Sequence, residues 1–293
     1  MKRTTLKILF FSALTGVSLC PTLATAAEPL PVVASFSILG DLVKVVGAER
    51  VRVTTLVGPD QDAHAFEPKP ADAKAMLAAK LFVSNGLNFE PWANKLAKSV
   101  GYKGETVLTS QGVKPILKSD PHAWQNPLNV IVYVRNIATG LAQVDAAGAT
   151  SYQANAEAYV KELEKLDTWA LAQFAAIPAD KRQVITSHDA FGYLADRYKI
   201  KFLAPQGISS DTEPSAKGIS QLIRQIKREK IKALFVENIS NPKLIAQIGQ
   251  DTGASVGASL YSDALSAPKQ PGTTYLLMMR HNVMELVAGM KLN

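Results

Sequence analysis

The sequence predicts an α/β protein: two parallel-sheet α/β lobes joined by one long helix. Three observations predict it. Between Pro31 and Gly112 short β-branched runs alternate with helical periods, the same alternation returns after residue 180, and the stretch between them carries a helical period with few strand or turn signals. In the first block strands fit Val32–Phe36, Val51–Val57, Leu81–Ser84 and Thr106–Leu108, and helices fit Ile38–Gly47, Ala71–Ala79 and Glu90–Val100. In the second, strands fit Gln183–Thr186, Lys201–Ala204, Ala233–Val236 and Ser255–Ser259, with helices at Phe191–Arg197, Ser215–Lys230, Pro242–Thr252 and Thr273–Lys291. Regular alternation of this kind puts helices on the faces of parallel sheets. No residue-level repeat relates the blocks.

From Leu128 to Ala175 only the Gly140 and Gly148 region interrupts the helical character. Tyr152, Ala156, Tyr159, Leu163, Leu166, Ala170 and Phe174 recur at three- and four-residue steps, and Glu162 stands one turn before Lys165. A helix over Ser151–Phe174 would run about 36 Å, long enough to serve both lobes as a stiff backbone. The expected organisation is a leader at 1–26, an N-terminal lobe at 27–150, a linking helix at 151–175 and a C-terminal lobe at 176–293.

The chain of 293 residues is 47% hydrophobic and 19% charged, a balance that supports packed cores and argues against disorder. Its start has basic Lys2, Arg3 and Lys7, an apolar run from Ile8 to Leu19, and small Ala24 and Ala26 at the spacing of a signal-peptidase site. The run is short of the ~20 residues of a membrane span, so a secretory signal cleaved near Ala26 and a periplasmic location are expected. Cys20, the sole cysteine, lies inside this leader, and Leu19 stands where a lipoprotein signal wants a small residue, which disfavours a lipid anchor. A mature chain without cysteine has no disulfide and no thiolate, so any transition-metal site must use His, Asp or Glu. Losing Lys2, Arg3 and Lys7 lowers the net charge from +7 to +4, and the remaining Lys and Arg are spread along the chain, which gives nucleic-acid binding no support.

Four histidines are present. A lone histidine is more often structural than a ligand, but context separates three of these. His64, in GPDQDAHAFEPKPAD, and His122, in KSDPHAWQNPLN, lie in Pro-bounded turns before helices; His188, in VITSHDAFGYLADRYKI, directly follows a strand. His281 falls inside a helical stretch and reads as a surface or packing residue. Asp263, in SLYSDALS, follows the last strand much as His188 follows its own. In α/β folds the carboxyl ends of strands are where ligands bind, and two residues from each lobe would then converge in the cleft between them. Three imidazoles and one carboxylate form a closed shell for a cation such as Zn²⁺, which takes four ligands at about 2.0 to 2.2 Å.

DAHAFEPKPAD, DPHAWQNPLN, SHDAFGYLA, GISSDTEPSAKGI, FVENISNP and YSDALS follow one another in an order that resembles the solute-binding proteins of bacterial zinc and manganese ABC transporters, the TroA-like or ZnuA-like family. The resemblance covers nearly the whole mature chain. It implies two α/β lobes on one rigid helix, a metal held between them by His64, His122, His188 and Asp263, a monomer, and delivery to an inner-membrane ABC permease, with a periplasmic metallochaperone as a further possible partner. Zinc-binding members usually carry His where His188 stands and manganese-binding members Glu, so the resemblance favours Zn²⁺, with Mn²⁺ as the alternative. Three features depart from the family pattern: GYKGETVLTSQGVKPILKSD has no histidine-rich loop, the disulfide of some members cannot form, and Asn126 stands where many have Asp.

Glu237 and Asp189 are candidate partners for the ligands' free ring nitrogens, Glu237 equally as a cap or pair at the surface and Asp189 equally as a helix N-cap. Two other classes compete. A zinc hydrolase, with Glu67 or Glu237 as general base, needs an open metal position that four protein ligands would close. A haem or siderophore binder would want an aromatic pocket, for which Phe66, Trp124 and Tyr261 are the candidates. The chain is thus expected not to be an enzyme, and metal release is expected through the loops around His64 or His122, because a rigid linking helix limits hinge opening.

Overall fold

The computed structural model describes residues 28–116, 120–210 and 213–293; the expected leader at 1–26 lies outside the described residues. The first sheet contains β1 (Leu30–Phe36), β2 (Val51–Val57), β3 (Leu81–Ser84) and β4 (Glu105–Leu108), in the order β2-β1-β3-β4 and all parallel. Helices α1 (Ser37–Gly47), α2 (Pro70–Ala78) and α3 (Pro91–Ser99) connect them. The second sheet repeats the plan with β5 (Gln183–Ile185), β6 (Lys201–Leu203), β7 (Ala233–Leu234) and β8 (Ser255–Val256), in the order β6-β5-β7-β8. Between the sheets run α4 (Pro127–Val144) and α5 (Ala149–Ala175); α6 (Gly192–Tyr198), α7 (Ala216–Glu229), α8 (Lys243–Thr252) and α9 (Tyr275–Met290) lie in the C-terminal half. The fold is therefore two parallel-sheet α/β lobes with a long connecting helix. Asn126, which departs from the family pattern, caps α4 by accepting the Leu128 N–H at 3.0 Å, a task Asn and Asp perform alike.

The last strands are shorter than expected. Leu234 pairs with Val256, but the next bridge joins Glu237 to Leu260, so the 256–260 segment has one residue more than its partner. This bulge lies where Gly257 packs on the Phe235 ring: a Cβ there would come within 2.7 Å of it. A bulge turns a strand and re-aims the residues beyond it, and Asp263 lies just beyond this one.

Helix α5 has 27 residues and a length of about 40 Å. Its first turns are tied to the N-terminal lobe, where the Tyr152 hydroxyl donates to Asp145 at 2.6 Å and Asn155 Nδ2 to Val46 O at 2.9 Å. Further along, buried Asp167 takes a two-point ion pair from Arg197 of α6, at 2.8 and 2.5 Å, and a hydroxyl bond from Tyr198 at 3.0 Å. One hydrophobic core runs from Val33 and Leu39 through Tyr152 and Leu163 to Phe191 and Met278. With a shared core and both stretches of α5 anchored, the lobes are not free to swing.

Candidate metal centre

All four expected residues come together: His64 from the loop after β2, His122 from the turn ahead of α4, His188 from the turn after β5 and Asp263 from beyond β8. One potential ligand atom from each of His64, His122, His188 and Asp263 lies within 4.8 Å of all the others. His64 Nε2 is 3.3 Å from His122 Nε2 and 3.2 Å from Asp263 Oδ2; His188 Nε2 is 3.2 Å from the same oxygen, and His122 Nε2 is 3.5 Å from Asp263 Oδ1. A tetrahedron of 2.0–2.1 Å bonds has edges of about 3.3 Å. These four separations match such an edge, and the remaining ones lie within 4.8 Å.

His122, His188 and Asp263 are fully buried, and only the His64 side chain keeps some exposure, 6%. Among the described residues, both Asp263 oxygens and His188 Nε2 find no hydrogen-bond partner although each is buried. Buried polar atoms without a partner are costly. A cation at the common centre would satisfy all of them.

The approach to this centre is fixed locally. Asp62 Oδ1 accepts the His64 N–H at 2.8 Å, and Asp120 Oδ1 accepts the His122 N–H at 2.9 Å, so each N-terminal histidine is set by an Asp two residues before it. Asp120 Oδ1 also lies 2.8 Å from His122 Nδ1. Glu237 plays the matching part in the other lobe: Oε1 accepts the His188 N–H at 2.9 Å and Oε2 lies 2.5 Å from His188 Nδ1. With the rear nitrogens of His122 and His188 facing carboxylates, their Nε2 lone pairs are left for the ion. Phe89 stands edge-on to His64 with ring centres 4.7 Å apart, and Trp124, 5.3 Å from His122, is held across the cleft by donating Nε1–H to Ser262 O at 2.8 Å.

Charge at the site favours a dication. Burial alone would push His122 down, but Asp263 and Asp120 raise it; burial likewise opposes charge on His188, and Glu237 and Asp263 overcome it and hold His188 well above the ordinary imidazole range. Against its own burial, Asp263 is held well below the usual carboxylate range by His122 and His188. Three carboxylates, Asp120, Glu237 and Asp263, face the imidazoles, so a bound M²⁺ would leave a single net negative charge.

Of the other expected residues, Asp189 stays within reach of the charges of Asp120, His122, His188 and Glu237 but does not take a ring nitrogen, and the rest lie elsewhere. Asp189 donates its backbone N–H to Gly207 O, and Phe191 rather than Asp189 is the N-cap residue of α6. Glu67 is exposed, Phe66 packs on Trp92, and Tyr261 packs on His281, whose Nε2 meets Ser259 O at 2.8 Å. Asp120 and Phe89 join the site without being among the expected residues. The shared D-x-H of QDAH and SDPH is the signal in the sequence that points to Asp120.

Fold and site together describe a two-lobed protein whose cluster of three imidazoles and a carboxylate is a candidate cage for one divalent metal ion. The sequence matches the family described as Zinc-uptake complex component A periplasmic over residues 32–289. The manganese-binding lipoprotein MntA of Halalkalibacterium halodurans is 33% identical over 268 residues, covering 90% of this chain and 89% of the relative. Among solved structures, the periplasmic zinc-binding protein TroA of Treponema pallidum superposes with a TM-score of 0.85 at 26% identity, over 90% of this chain and 99% of that one. The Mn-bound periplasmic metal-binding protein of Candidatus Liberibacter asiaticus gives 0.81 at 29% identity, over 90% and 100%. The chain belongs to the ZnuA/TroA family and is a metal-binding substrate-binding protein of an ABC transporter, not an enzyme.

Proposed function

We propose that the chain captures Zn²⁺ in the periplasm, with His64, His122, His188 and Asp263 as its four ligands, and hands it to a cognate inner-membrane ABC permease. The carrying observation is the set of 3.2–3.5 Å edges among three imidazole nitrogens and a carboxylate whose buried oxygens have no other partner among the described residues. A nitrogen-rich, four-donor cage suits zinc, which binds well ahead of manganese in the divalent affinity order. The manganese reading draws on the names of MntA and of the Mn-bound neighbour, but Mn²⁺ favours six oxygen-rich positions. Native mass spectrometry of the chelator-stripped mature protein, titrated with both ions in competition, separates the two. One zinc not displaced by manganese, and weakened in His188→Ala and Asp263→Ala, is expected; preferential retention of manganese would overturn the zinc assignment.

Relatives such as MntA are named lipoproteins. For this chain the Leu19–Cys20 junction favours cleavage near Ala26 and an unanchored protein. The intact mass of the exported form tests this, and an acylated N-terminal Cys20 would refute it.

A further inference from the structure

His64 is the one ligand with any exposure, so the metal must pass its edge of the cage. His64 itself stays with its own lobe, because Trp92 Nε1–H donates to Ala63 O at 2.8 Å and Phe89 packs against the ring. Opening at this edge is therefore a parting of the His64 loop from the C-terminal lobe. Two side chains span that seam. Asp60 accepts from Asn238 Nδ2 at 2.8 Å and from the Ala267 N–H at 2.9 Å, while its own N–H donates to Leu265 O at 2.9 Å. Asp62 has, among the described residues, a single bond across it, accepting from the Ser210 hydroxyl at 2.5 Å on Oδ2 while Oδ1 holds the His64 N–H. That bond borders a polar groove of about 300 Å³ lined by Gln206, Ser240 and Lys243 as well as by its own two residues, open to competing water or a partner's polar group.

We propose that the Asp62–Ser210 hydrogen bond is the interlobe tie that limits metal exchange, with the three-bonded Asp60 as the pivot beside it. The proposal rests on the four-ligand reading of the site. Ser210 does not touch the metal position; it acts through Asp62 on His64 and is a positioning residue. A tie closed in both the metal-free and metal-bound protein governs entry and exit alike, so its loss accelerates both rates and leaves affinity nearly unchanged.

The test is stopped-flow Zn²⁺ association, and release to excess chelator, for wild type, Ser210→Ala, Ser210→Thr and Asp62→Asn. One charge-assisted hydrogen bond corresponds to about tenfold in rate. Ser210→Ala is expected to raise association and release by about tenfold each with Kd within about threefold, Ser210→Thr to restore wild-type rates, and Asp62→Asn, which keeps an acceptor for His64, to fall between. Less than about threefold acceleration in both Ser210→Ala and Asp62→Asn, or faster release with unchanged association, would overturn it. Failure of the underlying site is seen separately, as absence of zinc binding by wild type or full binding by His188→Ala.

Discussion

Glu237→Gln isolates the part of metal affinity that comes from orienting a ligand rather than from ligation. Glu237 is 1% exposed: Oε1 accepts the backbone N–H of His188, and Oε2 stands 2.5 Å from ring Nδ1 as the charge that faces it. With a metal on Nε2, Nδ1 must carry its proton, so both sites need an acceptor. Glutamine is nearly the same size but offers one oxygen and one NH₂; whichever way it turns, a donor faces a donor in a dry site. The change also removes one of the three carboxylates that attract the dication. Losing such a partner typically weakens metal binding by about 10- to 100-fold, or about 1.4 to 2.7 kcal/mol. Competition against a chromophoric chelator should show that loss, and at a fixed saturating free zinc concentration the stabilisation conferred by metal should fall by the same amount, since it varies as RT ln(1 + [L]/Kd). A Glu237→Gln protein that binds zinc within about threefold of wild type would refute the reasoning, because the orientation of His188 would then owe nothing to that carboxylate.

The same geometry sets three further outcomes. Zinc affinity should rise with pH: His122 and His188 are raised in the metal-free fold, so they hold protons the ion must displace, and calorimetry in buffers of different ionisation enthalpy should show proton release at neutral pH that disappears in alkaline solution. Glu90 offers a second titration, away from the ligands. Burial raises it to about 7, against N–H and hydroxyl bonds from Asn85 and Ser35 that favour the charged form. Between its ordinary value of 4.5 and about 7 the unfolded chain has released this proton while the folded chain keeps it, so the contribution is fully present at low pH and falls by about 3 kcal/mol as pH rises through that window. Glu90→Gln, whose amide oxygen can accept the same two bonds, should match wild type near pH 5 and exceed it near pH 8 in denaturant melts of the metal-free protein; parallel stability profiles would refute this. Gly192→Ala would put a Cβ 2.3 Å from Asp120 Oδ2, displacing the carboxylate that sets His122, and should weaken zinc by about tenfold in the chelator assay.

The architecture was legible because alternation is a local signal: Val51–Val57 and Leu81–Ser84 declare themselves as strands without reference to anything distant. The cluster that we propose as ligands was foreshadowed for a related reason, since His64, His188 and Asp263 each come after a strand, and parallel strands point their carboxyl ends the same way. What the chain hid was pairwise. Asp120 stands two residues from His122, yet nothing in SDPH alone says that its oxygen reaches both the backbone and the ring. Asp189 sits beside His188 in sequence, yet the carboxylate on the ring is that of Glu237, 49 residues away, because β5 and β7 are sheet neighbours and the turns after them meet. The end of β8 failed for a different reason. Ser255–Ser259 has a strand's composition, but a bulge depends on what Gly257 packs against, and Phe235 is remote in sequence.

A receptor of this kind must hold its ion tightly and still surrender it, and the fold separates the two demands. Tight holding comes from preorganisation: α5 is bonded into both lobes, a common core runs through it, and buried Asp167 and Arg197 fasten it where a hinge would otherwise lie. A cage whose supports are fixed by α5 and the shared core loses little conformational freedom on binding. The same rigidity closes the route used by receptors that open by swinging their domains. Surrender must then be local, and the His64 edge is where the cage is thinnest, with one partly exposed candidate ligand and, among the described residues, Asp62 bonded across the seam at one point while Asp60 is bonded at three. A permease that engaged the Asp62–Ser210 groove would need to overcome about one hydrogen bond to start release, leaving the rest of the scaffold intact for the next ion.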